Sequence, residues 1–456
     1  MVVENCSITF VRGARRVTGS NFLVTATEGG KTTRILIDCG LAQGELFCDS
    51  VNFDPFPYDA SEIDVVIFTH AHADHIGMFP KLHKSGFKGK AYATAPTVDL
   101  MPIMLEDSVM LMTREAERCG TQAPYSITDV AHAVKAITAV EYHERIQIAE
   151  GITATLQNAG HIVGSATVLL EVHGKRILFT GDLGRTPAIL VPDREVTQDV
   201  DVLVTESVYG NRAHGSVEES DQALARAVHK IVKDKGVLLI PAFSLERTQI
   251  ILASLDRMIA EGTVPEVSVF MDSPLAAKVS DVYRRYPKYL RDTIRKKLES
   301  GDDPFEFPTL KVTVNKEASA AIDHEPRPKV IVAGAGMSHG GRIRHHETRY
   351  LGDPSCTLLL VGYQVPGSLG RRLKDGQKQV EIDGAKIKVH ATIDNVTGCS
   401  AHADRDDLLR FAEEVKPKRV FVVLGETEAA TFLAQRISGF LGLPVDVPRE
   451  GETYNV

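Results

Sequence analysis

Thr69-His70-Ala71-His72-Ala73-Asp74-His75 follows directly on the run Ile63-Asp64-Val65-Val66-Ile67-Phe68. The upstream run is apolar and β-branched, the composition of a buried strand. Three histidines and one carboxylate at the mouth of that strand converge on a small volume. Donors of that kind at that density suit zinc, or more loosely manganese or iron. Clustered imidazoles without a ligand are costly to bury, so the stretch reads as half of a metal site.

The other half is sought downstream. Asn158-Ala159-Gly160-His161-Ile162-Val163-Gly164-Ser165 places a histidine between glycines after a strand-like run, 152–156. Arg176-Ile177-Leu178-Phe179-Thr180-Gly181-Asp182 is a strand ending in an acid, and Asp201-Val202-Leu203-Val204-Thr205-Glu206 repeats that pattern. Following the histidine cluster in this order, His161 and Asp182 complete a metal constellation. Upstream, 8–10, 22–25 and 34–38 read as short hairpin strands. Asp38, before Cys39-Gly40, either braces the metal loop from behind or forms a turn. Helical spacing of Leu100, Met104, Met110 and Leu111 predicts a helix over 97–117, and a shorter one is expected over 77–85. From about 212 the texture changes to strands alternating with helices, the pattern of an α/β unit with a parallel sheet. The tail, with a strand over 386–393 and another over 419–426, reads as a return to the first style.

With 456 residues, the chain is too long for one core and implies two or three domains. Its 43% hydrophobic and 25% charged residues are ordinary for a globular protein. No run is apolar enough to span a bilayer. Six scattered cysteines without a CxxC pair favour reduced thiols and a cytoplasmic setting. The net charge of -8 argues against indiscriminate nucleic-acid binding but leaves room for a local basic groove.

The spacing H-x-H-x-D-H resembles the signature of the metallo-β-lactamase fold. Glu206, His402 and the α/β block between them narrow the resemblance to the β-CASP family of nucleases, nearest its RNA-processing branch. That branch includes the endonuclease subunit of the pre-mRNA cleavage and polyadenylation machinery and its prokaryotic relatives. Stretches 241–249, 334–342 and 398–404 carry the likeness. It implies an α/β architecture: an αββα metallo-β-lactamase sandwich, 1–211 and 373–456, with an inserted β-CASP domain at 212–372. It also implies two metal positions, with His70, His72 and His161 at the first, Asp74 and His75 at the second, and Asp182 bridging. Zinc is the implied ion and manganese an alternative. Hydrolysis of a phosphodiester would then use His402 as general acid, supported by Glu206, with Asp74 counted among the catalytic residues.

One position departs from the family pattern. RNA-cleaving members carry a further histidine at the end of the final strand, where this chain has Leu424. That weakens the second metal position. It also leaves open a DNA repair-type nuclease or a non-catalytic RNA-binding subunit beside the leading expectation, a ribonuclease on single-stranded RNA, endonucleolytic, with 5′-to-3′ exonuclease action as a further option. A homodimer is a further expectation from relatives. Inside the insertion, Ser244 and Arg247 sit at a predicted helix start suited to an anion. Gly341 and Arg342, and Ser368 and Arg371, offer close backbone approach and guanidinium contacts to phosphate. His339 is read as facing substrate, with His345 and His346 nearby in sequence.

Overall fold

The computed structural model describes residues 5–43, 51–365 and 367–456. Its chain divides into two compact units, Met1–Ala213 with His402–Val456, and His214–Ala401.

The first unit contains two seven-stranded sheets. In one, the strands Asn5–Arg12, Asn21–Glu28 and Lys31–Ile37 run antiparallel. Val65–Ile67 then pairs parallel to the last of them, with Ile37 opposite Ile67. In the other, Lys175–Phe179, Val202–Thr205 and Arg419–Val422 are parallel neighbours. Period-two alternation decides what each face touches. Val168, Leu170, Ile177 and Phe179 join Phe10, Val24, Ile35 and Val65 in the core shared by the sheets. Leu169, Leu178 and Leu203 turn the other way, onto Leu408 and Phe411 of the helix Arg405–Val415 and Leu433 and Ile437 of Thr427–Leu441. On the first sheet's outer side, Phe68 packs edge-on to Phe79 of the helix Phe79–Lys84, ring centroids 4.9 Å apart. Four layers result, α/β/β/α. The expected helix over 97–117 is Ala95–Arg118, and the one over 77–85 is Phe79–Lys84, preceded by a short helix, Ala73–Ile76, inside the histidine stretch.

The second unit is built on a six-stranded parallel sheet, ordered 310–312, 268–272, 329–333, 237–241, 357–361, 392–396. Helices bury both faces, so Val237-Leu238-Leu239-Ile240 is apolar without alternation. Ser216 opens the helix Val217–Asp234 with a reciprocal cap: its hydroxyl accepts from Glu219 N, and the Glu219 carboxylate accepts from Ser216 N. This unit runs to Ala401, beyond the expected boundary at 372. The stretch 386–393, read from texture as a return to the first unit, is part of the second. Ala385–Lys388 forms a hairpin with Gln379–Ile382, whose Val380 and Ile382 join the second unit's core, and Thr392–Val396 pairs with Thr357–Val361. Main-chain pairing decided this, and main-chain pairing has no residue signature.

Cys6, Cys39, Cys356 and Cys399 are buried thiols outside any disulfide, as expected. Cys119 is disulfide-bonded, against the expectation of reduced thiols, and Cys48 lies outside the described residues. No helix among the described residues is long and apolar enough to cross a membrane.

Two carboxyls of the second unit are buried away from the first unit's donor sets. Glu347 accepts a hydrogen bond from the Ser338 hydroxyl while its Oε2 has no partner. Glu246 accepts from the Tyr283 hydroxyl. Burial pushes each up from 4.5 to about 8, outweighing those hydrogen bonds and the nearby Arg344 and Arg247. A carboxyl raised in the folded state binds a proton there that the unfolded chain has released. Stability is therefore expected to be highest below about pH 4.5 as far as these groups are concerned, and to fall as pH rises toward 8. Melting temperatures recorded from pH 5 to 9 should show this decline, and Glu347→Gln should flatten it. An equally steep decline in the variant would remove Glu347 from the explanation.

Candidate metal centre

Asp38 carries a left-handed backbone, φ 60, at the end of the strand Lys31–Ile37, and its side chain is fully buried. Its Oδ1 accepts from Thr69 N at 2.8 Å. Its Oδ2 accepts from the Thr69 hydroxyl at 2.9 Å and the Ser20 hydroxyl at 3.0 Å, and lies 2.7 Å from His75 Nδ1. The carboxylate thus fixes the start of the histidine loop and one of its rings together. Gly40 closes the space behind: a Cβ there would lie 1.6 Å from Asp74 O. Thr69 and Ser20 carry no distinct signal in the sequence, one a threonine before His-x-His and the other a serine in a small-residue loop. The loop after the strand Ile152–Asn158 is tied similarly. The Ser165 hydroxyl accepts from His161 N at 3.0 Å and Ile162 N at 3.1 Å.

These supports bring four donors together. His70 Nε2 and His72 Nδ1 are 3.0 Å apart, and His161 Nε2 is 3.2 Å from His72 Nδ1. Asp182 Oδ2 lies 3.4 Å from His70 Nε2 and 3.5 Å from His161 Nε2. A tetrahedral ion with ligand bonds of 2.0–2.1 Å has donor–donor edges of about 3.3–3.4 Å, so the set has the size of a zinc shell. Burial outweighs Asp182 and holds His70, His72 and His161 below the ordinary imidazole range, neutral as ligation requires.

A second set flanks the first. His75 Nε2 is 3.2 Å from Asp182 Oδ1 and 4.0 Å from Asp74 Oδ2. It is buried without a well-aligned hydrogen bond, although the ring's other nitrogen is held by Asp38. Burial would lower His75, but Asp182 and Asp38 outweigh it and raise the ring. Asp74 is pushed up by burial, pulled down by His75 and pushed up again by the facing Asp182. Carboxylates facing each other across an unsatisfied imidazole nitrogen would be relieved by a cation. The residues fit the ion that the sequence implies.

Leu424 adds no donor to this set. It follows the strand Arg419–Val422 in a left-handed conformation, φ 47, with its N–H donating to Gly13 O at 2.8 Å. Its side chain is fully buried in the core shared by the two sheets, with Cδ2 against Gly13. The second set therefore consists of Asp74, His75 and Asp182.

Glu206 and Asp182 leave the carboxyl ends of adjacent parallel strands, which puts them side by side. Glu206 is fully buried, with Oε1 accepting from Leu183 N at 2.6 Å. His402 Nδ1 lies 3.4 Å from that oxygen and 3.9 Å from Asp182 Oδ2. Burial would lower His402, but Glu206, Asp182 and Asp74 outweigh it, so the ring holds its proton above the usual range. Desolvation raises Glu206 despite His402. A protonated imidazole beside a four-donor metal cradle is equipped to give up a proton.

The residues read from sequence as phosphate contacts all lie in the second unit and differ in what they have left to offer. Arg342 is committed to Asp272 Oδ1 at 2.6 Å and Thr313 O at 3.1 Å. Arg371 is paired with Asp375 at 2.8 Å. Ser368 caps the helix Leu369–Lys374, accepting from Arg371 N at 3.1 Å. Ser244 meets the Ser273 hydroxyl at 3.2 Å, and His339 is exposed. Gly341, at φ 73, is required by close approach, since a Cβ would lie 2.3 Å from Gly334 O. Arg247 differs: its Nη1 is buried without a hydrogen-bond partner. Pro366 lies outside the described residues.

Three family models match the chain. A metallo-β-lactamase superfamily domain matches residues 29–186, a Beta-Casp domain 248–373, and a Zn-dependent metallo-hydrolase RNA specificity domain 386–448. The chain is 35% identical over 440 residues to Ribonuclease TTHA0252 of Thermus thermophilus, covering 96% of this chain and 97% of that one. It belongs to the β-CASP family of the metallo-β-lactamase superfamily. Among other β-CASP relatives, an RNase J-like protein of Methanocaldococcus jannaschii is 33% identical over 92% of this chain and 93% of its own. Transcription termination factor FttA of Methanosarcina mazei is 32% identical over 94% of this chain and 68% of its own. A crystal structure from Enterococcus faecalis V583, titled a protein of unknown function, shares the fold at TM-score 0.56 and 13% identity, covering 99% of this chain.

Asp38→Asn keeps the shape of the brace and removes its charge. Metal affinity, measured by competition with a chromophoric chelator, is expected to fall about 10–100-fold, the usual cost of losing a carboxylate behind a ligating histidine. Unchanged affinity would show that Asp38 only shapes the turn.

Proposed function

We propose that this chain is a metal-dependent ribonuclease that hydrolyses phosphodiester bonds of single-stranded RNA, with zinc as its ion and manganese as the alternative. The observation that carries the reading is the placement of His402, held against Glu206, beside Asp182 of the four-donor set. The names of the β-CASP relatives supply the substrate class.

His70, His72, His161 and Asp182 would hold the first ion, and Asp74, His75 and Asp182 the second. A bound cation would supply Lewis acidity, offsetting charge that develops on the phosphodiester. The remaining work belongs to side chains. His402 delivers a proton to the leaving oxygen, and Glu206 keeps the ring charged and oriented until transfer. Asp38 sets the tautomer of His75, and Ser165 fixes the loop that presents His161. With three donors and Leu424 in place of a fourth, the second position is the weaker, and the first is expected to fill preferentially. Arg247, with a buried donor left over, is the proposed phosphate contact of the second unit. Four buried thiols outside any disulfide suit a reducing, cytoplasmic setting, and the bonded Cys119 stands against it.

Labelled single-stranded RNA and DNA of one sequence, incubated with protein as purified, chelator-treated and zinc-restored, test the reading. RNA cleavage is expected to vanish on chelation and return with zinc. His402→Ala should lose about 10²–10⁴-fold in rate while keeping its metal, the range of a general acid. Preferential cleavage of DNA would assign a repair-type nuclease instead. Metal binding with no cleavage of either would leave a binding subunit.

A further inference from the structure

Outside the first unit's donor sets, the second unit gathers Asp323, His345 and His346, each with a ligand atom within 4.8 Å of the others. His345 and His346 are consecutive on the helix Ile343–Tyr350. Neighbours in a helix ordinarily point apart. Here their ring centroids are 5.3 Å apart, and Asp323, on the turn Ile322–His324, reaches His345 Nε2 at 3.2 Å through Oδ2.

The informative atom is His346 Nδ1. The His346 side chain is fully buried, and its Nε2 lies 2.8 Å from Asp272 Oδ2. Asp272 also accepts from Arg342 at 2.6 Å, Ser319 at 2.6 Å and Thr313 at 2.5 Å. With the Arg342 guanidinium and two hydroxyls on its oxygens, that carboxylate accepts from Nε2 as well. In its neutral form the ring then presents a lone pair at Nδ1, which is buried with no hydrogen-bond partner. A carboxylate behind one nitrogen and an open lone pair on the other is the arrangement of a metal-ligating histidine.

We infer that Asp323, His345 and His346 form a cation site of the second unit, separate from the first unit's donor sets, that takes a zinc-class divalent transition metal. Two imidazoles and a carboxylate favour such an ion over magnesium or calcium, which prefer all-oxygen shells. His345 is half exposed, its side chain 52% accessible, so its ring can turn to tighten the set and solvent can complete the shell. Arg349 opposes the ion, with its Nε 4.0 Å from Asp323 Oδ2. It is 59% accessible, however, and free to swing away. The Tyr350 hydroxyl, 3.5 Å from Asp323 Oδ1, steadies the carboxylate.

The test counts ions on the full chain. Wild type, His345→Ala and Arg349→Gln are dialysed against zinc, then against cobalt(II), and metal is quantified per chain by mass spectrometry. Each is also measured in a His70→Ala background, so the count does not depend on the first unit or on ribonuclease activity. His345→Ala is expected to hold one equivalent fewer in both backgrounds, with an unchanged melting temperature after chelation, and to lose part of the cobalt absorption. Arg349→Gln removes a competitor for Asp323 without touching the ligands. It should keep the full count and bind the last ion roughly two- to fivefold tighter, the worth of one exposed ion pair. Equal stoichiometry in wild type and His345→Ala overturns the site, and so does an Arg349→Gln variant that binds no more tightly.

Discussion

The first unit depends on one buried carboxylate. Asp38 accepts from Ser20, from both polar groups of Thr69 and from His75, so a strand end, the start of the histidine loop and one ring are fixed by the same pair of oxygens. A buried carboxylate in that position is tolerated only because four donors replace its water. The left-handed backbone at Asp38 and the missing side chain at Gly40 are the local costs of pointing it there. With Asp38 in place, the histidine loop has little freedom, and its donors meet at ligand spacing without further adjustment.

The second sheet contributes by topology. Parallel pairing of Lys175–Phe179 with Val202–Thr205, and of Val202–Thr205 with Arg419–Val422, lines up three carboxyl ends carrying Asp182, Glu206 and Leu424. Two of those ends deliver acids to the site. The third carries Leu424, whose side chain turns into the core shared by the two sheets, beside Gly13.

The second unit follows another rule. Its parallel sheet is buried on both faces, so polar groups inside it must find one another. Asp272 does so with four partners, while Glu347, Arg247 and His346 each keep an atom without one. Groups of that kind mark where the interior is open to a proton, an anion or a cation, according to the chemistry of the atom left over.

Much of this was legible beforehand. Three histidines and an acid after a β-branched run, a histidine between glycines, and acids at two strand ends are local patterns. Ligand chemistry is carried by residue type, so a linear text can show it, and the resemblance to the β-CASP family rests on such patterns. What the text could not show is pairing. The hairpin at 379–388 and the strand Thr392–Val396 joined the second unit because main-chain groups found partners there. Arg342 and Arg371, suited by type to phosphate, are held by Asp272 and Asp375. Ser20 and Thr69, unremarkable by type, anchor the site. Residue identity set which atoms were able to donate, accept or ligate. Only the tertiary structure decided which of those atoms were already satisfied, because satisfaction depends on distance and burial, and neither is a property of position along the chain.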